Sequence, residues 1–357
     1  MPYYSNVYEK IIVYNKNTYM KQITTLFFCI AIFSACKKDK QSSQNKPSIC
    51  FETNIINTNV QDGFMSVFFL NEKNGFVTSD KGGIYKTIES AKTWTALNST
   101  TNVPIRDIWF PSANIGIAVG GENSCGGTGC IPSGGFILRT QDYGQTWNKI
   151  FTPSNRLEIT SIYFINNLVG YCVGENVIYK TNDGGQTWSE NQISNLGGKM
   201  MKIKFSDNRN GFIVCTFDKI LKTTNGGNSW QITSPNKNNG YYSTSSSNGA
   251  TYVSGQGKIL KSIDNGVNWQ ELFNSPSEIY DVHFTTQEIG YAFGRGNYSG
   301  GDFGRCYGSI YCTNNGGSSW NGNGDFKDIG TIKAVSFPLS NIGYAVSGNK
   351  VIKIVIN

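Results

Sequence analysis

One histidine and six arginines are all that this chain of 357 residues contains of either type. A lone His excludes a multi-histidine metal centre and a His-rich active site. The arginines (Arg106, Arg139, Arg156, Arg209, Arg295, Arg305) are scattered, so no basic stripe of the kind that grips nucleic acid forms. Charge of either sign is scarce at 15%, which rules out charged-heptad coiled coils, and 38% apolar residues rule out a disordered chain. No CxxC…CxxC pair is present, so a zinc ribbon is excluded. The apolar run from Ile23 to Phe33 falls short of the roughly 20 residues a membrane-spanning helix needs. No metal and no cofactor are expected.

What the chain has instead is 41 Gly, 13% aromatic residues and many Thr and Ser, a composition of short strands and turns. Its length suits two ordinary domains or one large repetitive one. The formal charge of +7 is unevenly placed: residues 1–35 carry +2, residues 36–46 carry +3, and everything from Pro47 onward only +2. A nearly neutral body is no nucleic-acid binder.

The amino terminus reads as an address. From Met20 the sequence MKQITTLFFCIAIFSAC has a short positive segment at Lys21, an apolar stretch of signal-peptide length, and small residues before Cys36. That ending resembles the lipobox of bacterial lipoproteins, in which the Cys is diacylated. Residues 1–35 are therefore expected to be a signal peptide, with Met20 a candidate true start. Residues 36–47 are expected to be a lipid-anchored polar tether on Cys36, and the mature protein to be exported and held on a membrane through that lipid. Export permits disulfides. Cys125 and Cys130 lie in the Gly-rich SCGGTGC, and Cys306 and Cys312 in RCYGSIYC; both pairs are candidate disulfides. Beyond Cys36 the thiols number seven, so at least one stays free.

Self-similarity decides the fold. An eight-residue box recurs six times: TIESAKTW (87–94), TQDYGQTW (140–147), TNDGGQTW (181–188), TTNGGNSW (223–230), SIDNGVNW (262–269) and TNNGGSSW (313–320). Six of the seven Trp end it (Trp94, Trp147, Trp188, Trp230, Trp269, Trp320), spaced by 53, 41, 42, 39 and 51 residues. A period near 40 is one four-stranded propeller blade. Upstream of each box an alternating strand, such as IRDIWF or IYDVHF, ends in an aromatic. A Gly-led apolar strand such as GYCVG follows, and then a third strand. Counting these units predicts an all-β, seven-bladed propeller over residues 48–357. The last unit lacks a box and fourth strand, so Ile49–Ile56 is expected to supply the missing outer strand and close the ring.

The boxes read as hairpin turns. Asp142, Asp183, Asp264, Asn225 and Asn315 satisfy turn amides, while Gly144, Gly185, Gly266, Gly227 and Gly317 two residues later accept positive φ. Asn at two copies, and Glu89 with Ala91 at another, argue against a carboxylate array for catalysis. These motifs resemble the Asp-box or BNR repeat of sialidases, sortilin-type propellers and some glycoside hydrolases. With the V-x-F and G-x-A-V-G strands, the whole unit resembles most the Ycf48/HCF136-like family. That resemblance implies a seven-bladed, non-enzymatic assembly factor for photosystem II, in some cases a lipoprotein. The Arg-rich patch such proteins carry has no counterpart here. A sialidase-type site is unsupported because F/Y-R-I-P is missing.

The remaining enzymatic alternative is a glycosidase using Asp107 and Asp281, which occupy equivalent positions three before the closing Phe of blades two and six. The favoured reading is a non-catalytic, monomeric module that binds a protein or glycan. Its candidate contacts sit on the two long insertions between second and third strands of blades two and six: Glu122, Asn123, Tyr298, Asp302, Phe303 and Arg305. Both insertions are expected on the face opposite the boxes.

Overall fold

A computed structural model describes residues 51–356 apart from 123–133, 155, 236–238, 276, 297–306 and 327. Seven four-stranded antiparallel sheets follow one another around a ring. In blades one to six the strands occur in chain order from the inside outward; blade two, for example, is Ile105–Trp109, Gly116–Glu122, Gly134–Thr140 and Asn148–Phe151. Blade seven has three strands from the end of the chain, Ile332–Leu339, Ile342–Ser347 and Lys350–Ile356, and a fourth from its beginning. Phe51–Asn57 pairs antiparallel with Lys350–Ile356 along its whole length, Phe51 opposite Ile356 and Asn57 opposite Lys350. Each end of the described chain thus covers the other's open edge.

The boxes fold as the turn chemistry requires. In blade two the Thr140 hydroxyl donates to Asp142 Oδ1 at 2.7 Å and accepts the Gly144 N–H at 3.1 Å. Asp142 also accepts from the Thr146 N–H at 2.9 Å and the Thr146 hydroxyl at 2.6 Å. These donors, the Thr146 hydroxyl first, hold the Asp142 carboxyl down to about 2. Asn serves equally because its amide can turn the outer bond around: Asn225 Nδ2 donates to Ser229 Oγ at 2.9 Å while Asn225 Oδ1 accepts the Ser229 N–H at 3.0 Å.

The box glycine also makes a close approach between blades. A Cβ on Gly144 would stand 2.6 Å from the Phe76 ring of blade one, and one on Gly227 2.5 Å from Tyr171 of blade three. In blades two to five the box thus presses on the second strand of the preceding blade, while in blade six a Cβ on Gly317 would meet Leu272 of blade five's outer strand. The core follows from this arrangement. It is distributed as apolar clusters between neighbouring blades, such as Phe76 and Ile84 against Ile108, Phe110 and Trp147. The Gly that opens a second strand has its own reason, since a Cβ on Gly170 would meet the ring of Phe164 at 2.7 Å, directly across the strand pair.

Cys312, in the strand Gly308–Thr313, is disulfide-bonded, while Cys172 and Cys215 are free and buried. Cys36, Cys50, Cys125, Cys130 and Cys306 lie outside the described residues.

Candidate binding site in the central channel

The inner strands place three rings of side chains around the axis. In six of the seven blades the pairing of inner and second strand slips by one residue near its start, for example between Ile105 and Asp107 and between Ile279 and Asp281. Such a bulge turns two successive side chains toward the same side. The second and third residues of these strands therefore both face the channel, and the fifth faces it again near the other mouth.

The middle ring holds the blades together. Asp107 Oδ1 accepts from the Ser66 hydroxyl of blade one at 2.9 Å. Its Oδ2 accepts from the Ser161 hydroxyl and Ile162 N–H of blade three, at 2.9 and 3.1 Å, and from Lys202 Nζ of blade four at 2.9 Å. Asp281 repeats the pattern, accepting from Ser243 at 2.5 Å in blade five and from the Val335 N–H at 3.2 Å in blade seven, with Lys204 Nζ at 3.9 Å. Both aspartates are 5% exposed. Every carboxylate oxygen already has a donor, and the two lysines reach across to neutralise the pair. A glycosidase needs one carboxyl free to protonate a leaving group and another free to attack or activate water. This geometry uses Asp107 and Asp281 as braces between inner strands.

Two mouths remain, on opposite faces. The inner strands begin on the face of the second-to-third-strand loops and end on the face of the boxes, as the antiparallel order requires. At the insertion face a cavity of about 220 Å³ is rimmed by Met65, Arg106, Met201, Tyr242, Tyr280 and Lys333. Arg106 donates through Nε and Nη2 to Glu158 Oε2 at 3.1 and 3.0 Å, and Lys199 closes on the other oxygen. Burial, then the Arg106 charge, pushes the Lys199 ammonium down to about 8. Lys333 has no carboxylate within ion-pair distance among the described residues; its Nζ lies 3.3 Å from the Met65 sulfur. Tyr242 and Tyr280 stack at 5.1 Å, their hydroxyls on Glu278, which also meets Arg295 at 3.3 Å. Lys333 without an ion pair among the described residues, beside Met65, Met201 and the tyrosine pair, gives this rim cationic and apolar surface together.

Of the sequence-predicted contacts, Glu122 is half-buried at the end of its strand, where its charge acts on Arg106. It thus stands beside this mouth. Asn123, Tyr298, Asp302, Phe303 and Arg305 lie outside the described residues. Sequence reasoning passed over Arg106, Glu158, Lys199 and Lys333. The available signal was variation: the second position of the inner strands runs Met, Arg, Thr, Met, Tyr, Tyr, Lys while its neighbours repeat. Among the described residues there is no cluster of three metal-ligating side chains, and no helix long and apolar enough to cross a membrane.

Comparison with known proteins agrees with this architecture. The family model described as photosynthesis system II assembly factor YCF48 matches residues 138–240 and 195–272. No curated protein matches the sequence. Among solved structures, YCF48 bound to D1 peptide is similar at TM-score 0.65 and 17% identity, over 87% of this chain and 98% of that one. YCF48 from Cyanidioschyzon merolae follows at 0.64 and 14%, over 85% and 98%. A GH74 enzyme from Niastella koreensis reaches 0.63 at 17% identity, over 84% of this chain but 53% of that one. Likeness at these identities speaks for the fold.

Proposed function

We propose that this chain, a Ycf48-like seven-bladed propeller, is an exported, lipid-anchored module that binds a protein partner on its insertion face and catalyses no reaction. The carrying observation is the mouth built from Arg106, Lys199 and Lys333 with Met65, Met201 and the Tyr242–Tyr280 stack. Apolar surface beside Lys333, which has no ion pair among the described residues, suits a segment that brings both a carboxylate and a hydrophobic side chain. A YCF48 structure with a bound D1 peptide supports a peptide as the kind of ligand such a ring accepts. The non-catalytic reading is favoured because Asp107 and Asp281 are already committed to strand-to-strand bonds.

The anchor reading rests on sequence: a signal peptide over residues 1–35, lipid on Cys36, and the polar tether to residue 47. In the native host, Cys36→Ala should move the protein from the membrane to the soluble fraction; tight retention after that change would refute the anchor. Cross-linking and capture from the native membrane should recover a protein partner with the wild-type chain. Capture should fall with Lys333→Glu while thermal stability is kept. Equal capture by both chains would move the binding site elsewhere.

A further inference from the structure

The opposite mouth, on the face of the boxes, has a different chemistry. The fifth residues of the inner strands form its ring: Phe68, Trp109 and Tyr163 from blades one to three, then Lys204, Ser245, His283 and Ser336 from the other four. The aromatic side is a continuous wall, with Phe68 and Trp109 centroids 5.2 Å apart and Trp109 and Tyr163 4.7 Å apart. The rings are tilted by 59° and 46°, so they do not stack flush on one another. Trp109 is the one Trp outside the boxes, and it is half-buried. Its indole N–H has no hydrogen-bond acceptor among the described residues, nor does either His283 nitrogen have a partner there. His283 lies flat on Phe337, centroids 4.4 Å apart, and lines the same cavity of about 440 Å³, a size typical of small-ligand sites. The charges below it balance, Lys202 against Asp107 and Lys204 against Asp281. An anion or cation therefore gains little net attraction at this mouth. A molecule with one apolar face and a rim of hydroxyls matches both walls at once.

We propose that the box-face mouth binds the end of a neutral oligosaccharide, one sugar ring stacking on Phe68, Trp109 and Tyr163 while its hydroxyls bond Lys204, His283 and Ser336. This site is separate from the insertion-face mouth and does not depend on the protein-binding reading. The experiment titrates the full chain in detergent with cellotetraose, laminaritetraose and maltotetraose, reading tryptophan fluorescence and heat. 3′-Sialyllactose and an acidic peptide represent the competing ligand classes.

At least one neutral tetrasaccharide should bind saturably, and Trp109→Ala and His283→Ala should each weaken it about tenfold. Trp109→Phe should retain binding but lose most of the fluorescence change, which guards against a variant that merely misfolds. Lys333→Glu, at the other mouth, should leave sugar binding unchanged whatever it does to partner capture. The proposal is overturned if no neutral sugar binds up to about 10 mM. It is equally overturned if Trp109→Ala binds as the parent does, or if only the sialylated sugar or the peptide binds at this mouth.

Discussion

Lowering the pH from 7 to 5 should remove about 2 kcal/mol of stability through one side chain, His283. Burial, aided by the charge of Lys204 on the inner strand of blade four, pushes its imidazole down from 6.5 to about 4, while Asp281 on its own strand acts the other way. Phe337 covers one ring face at 4.4 Å. A histidine neutral in the folded state but free to protonate when unfolded makes the unfolded state bind more protons between those two values. Its stabilising contribution is thus complete above about 6.5 and is lost as the pH falls toward about 4. Worked from 6.5 and 4, protonation of the unfolded state costs only about 0.2 kcal/mol of stability at pH 7 and about 2 kcal/mol at pH 5, in the same direction at both. Carboxylates contribute little in this window because their ordinary values lie near or below 4.3.

Because the chain has a single His, the assay is clean. Urea unfolding followed by tryptophan fluorescence at pH 7, 6 and 5 should show a falling midpoint for the parent. His283→Gln, neutral at every pH, should show a nearly flat one. A fall of the same size in His283→Gln would refute the reasoning, as would a histidine proton signal titrating above pH 6 in the folded protein.

Other consequences concern the scaffold. Gly144→Ala should cost about 2–4 kcal/mol, combining a left-handed residue at φ 80° with a Cβ 2.6 Å from Phe76, which is itself stacked on Phe110 at 4.3 Å. Ser90→Gly, at φ 57° in the degenerate box of blade one, should instead raise stability by about 0.5–1 kcal/mol. Calorimetry on the pair checks both signs. Asp107→Ala should destabilise by about 3 kcal/mol or more, since it strands Lys202 and the donors of two neighbouring blades, and Lys202→Met in the same chain should restore part of the loss.

The repeat grammar made the fold legible because each of its signs has a local cause. A closing Phe sits across from an opening Gly on the paired strand, and an Asp or Asn binds its own turn, so these residues recur wherever the unit recurs. Seven units, four strands each and the turn role of the boxes could therefore be counted along the chain. Asp107 and Asp281 could be located but not interpreted. Whether a carboxylate is free depends on Ser66, Ser161, Ser243 and Lys202, which are distant in sequence and meet it only when the ring closes.

The same holds for both mouths. Nothing along the chain joins Arg106 to Glu158 and Lys199, or Trp109 to Tyr163, because the residues of each ring come one per blade at intervals of about forty positions. Nor does alternation reveal them, since the slipped pairing near each strand's start turns two consecutive residues inward where a regular strand would turn one. Sequence alone determined the blade, because a blade is made of neighbours. The ring's interior, and with it every candidate binding surface described, was decided by closure, which brings together side chains that share no local signal.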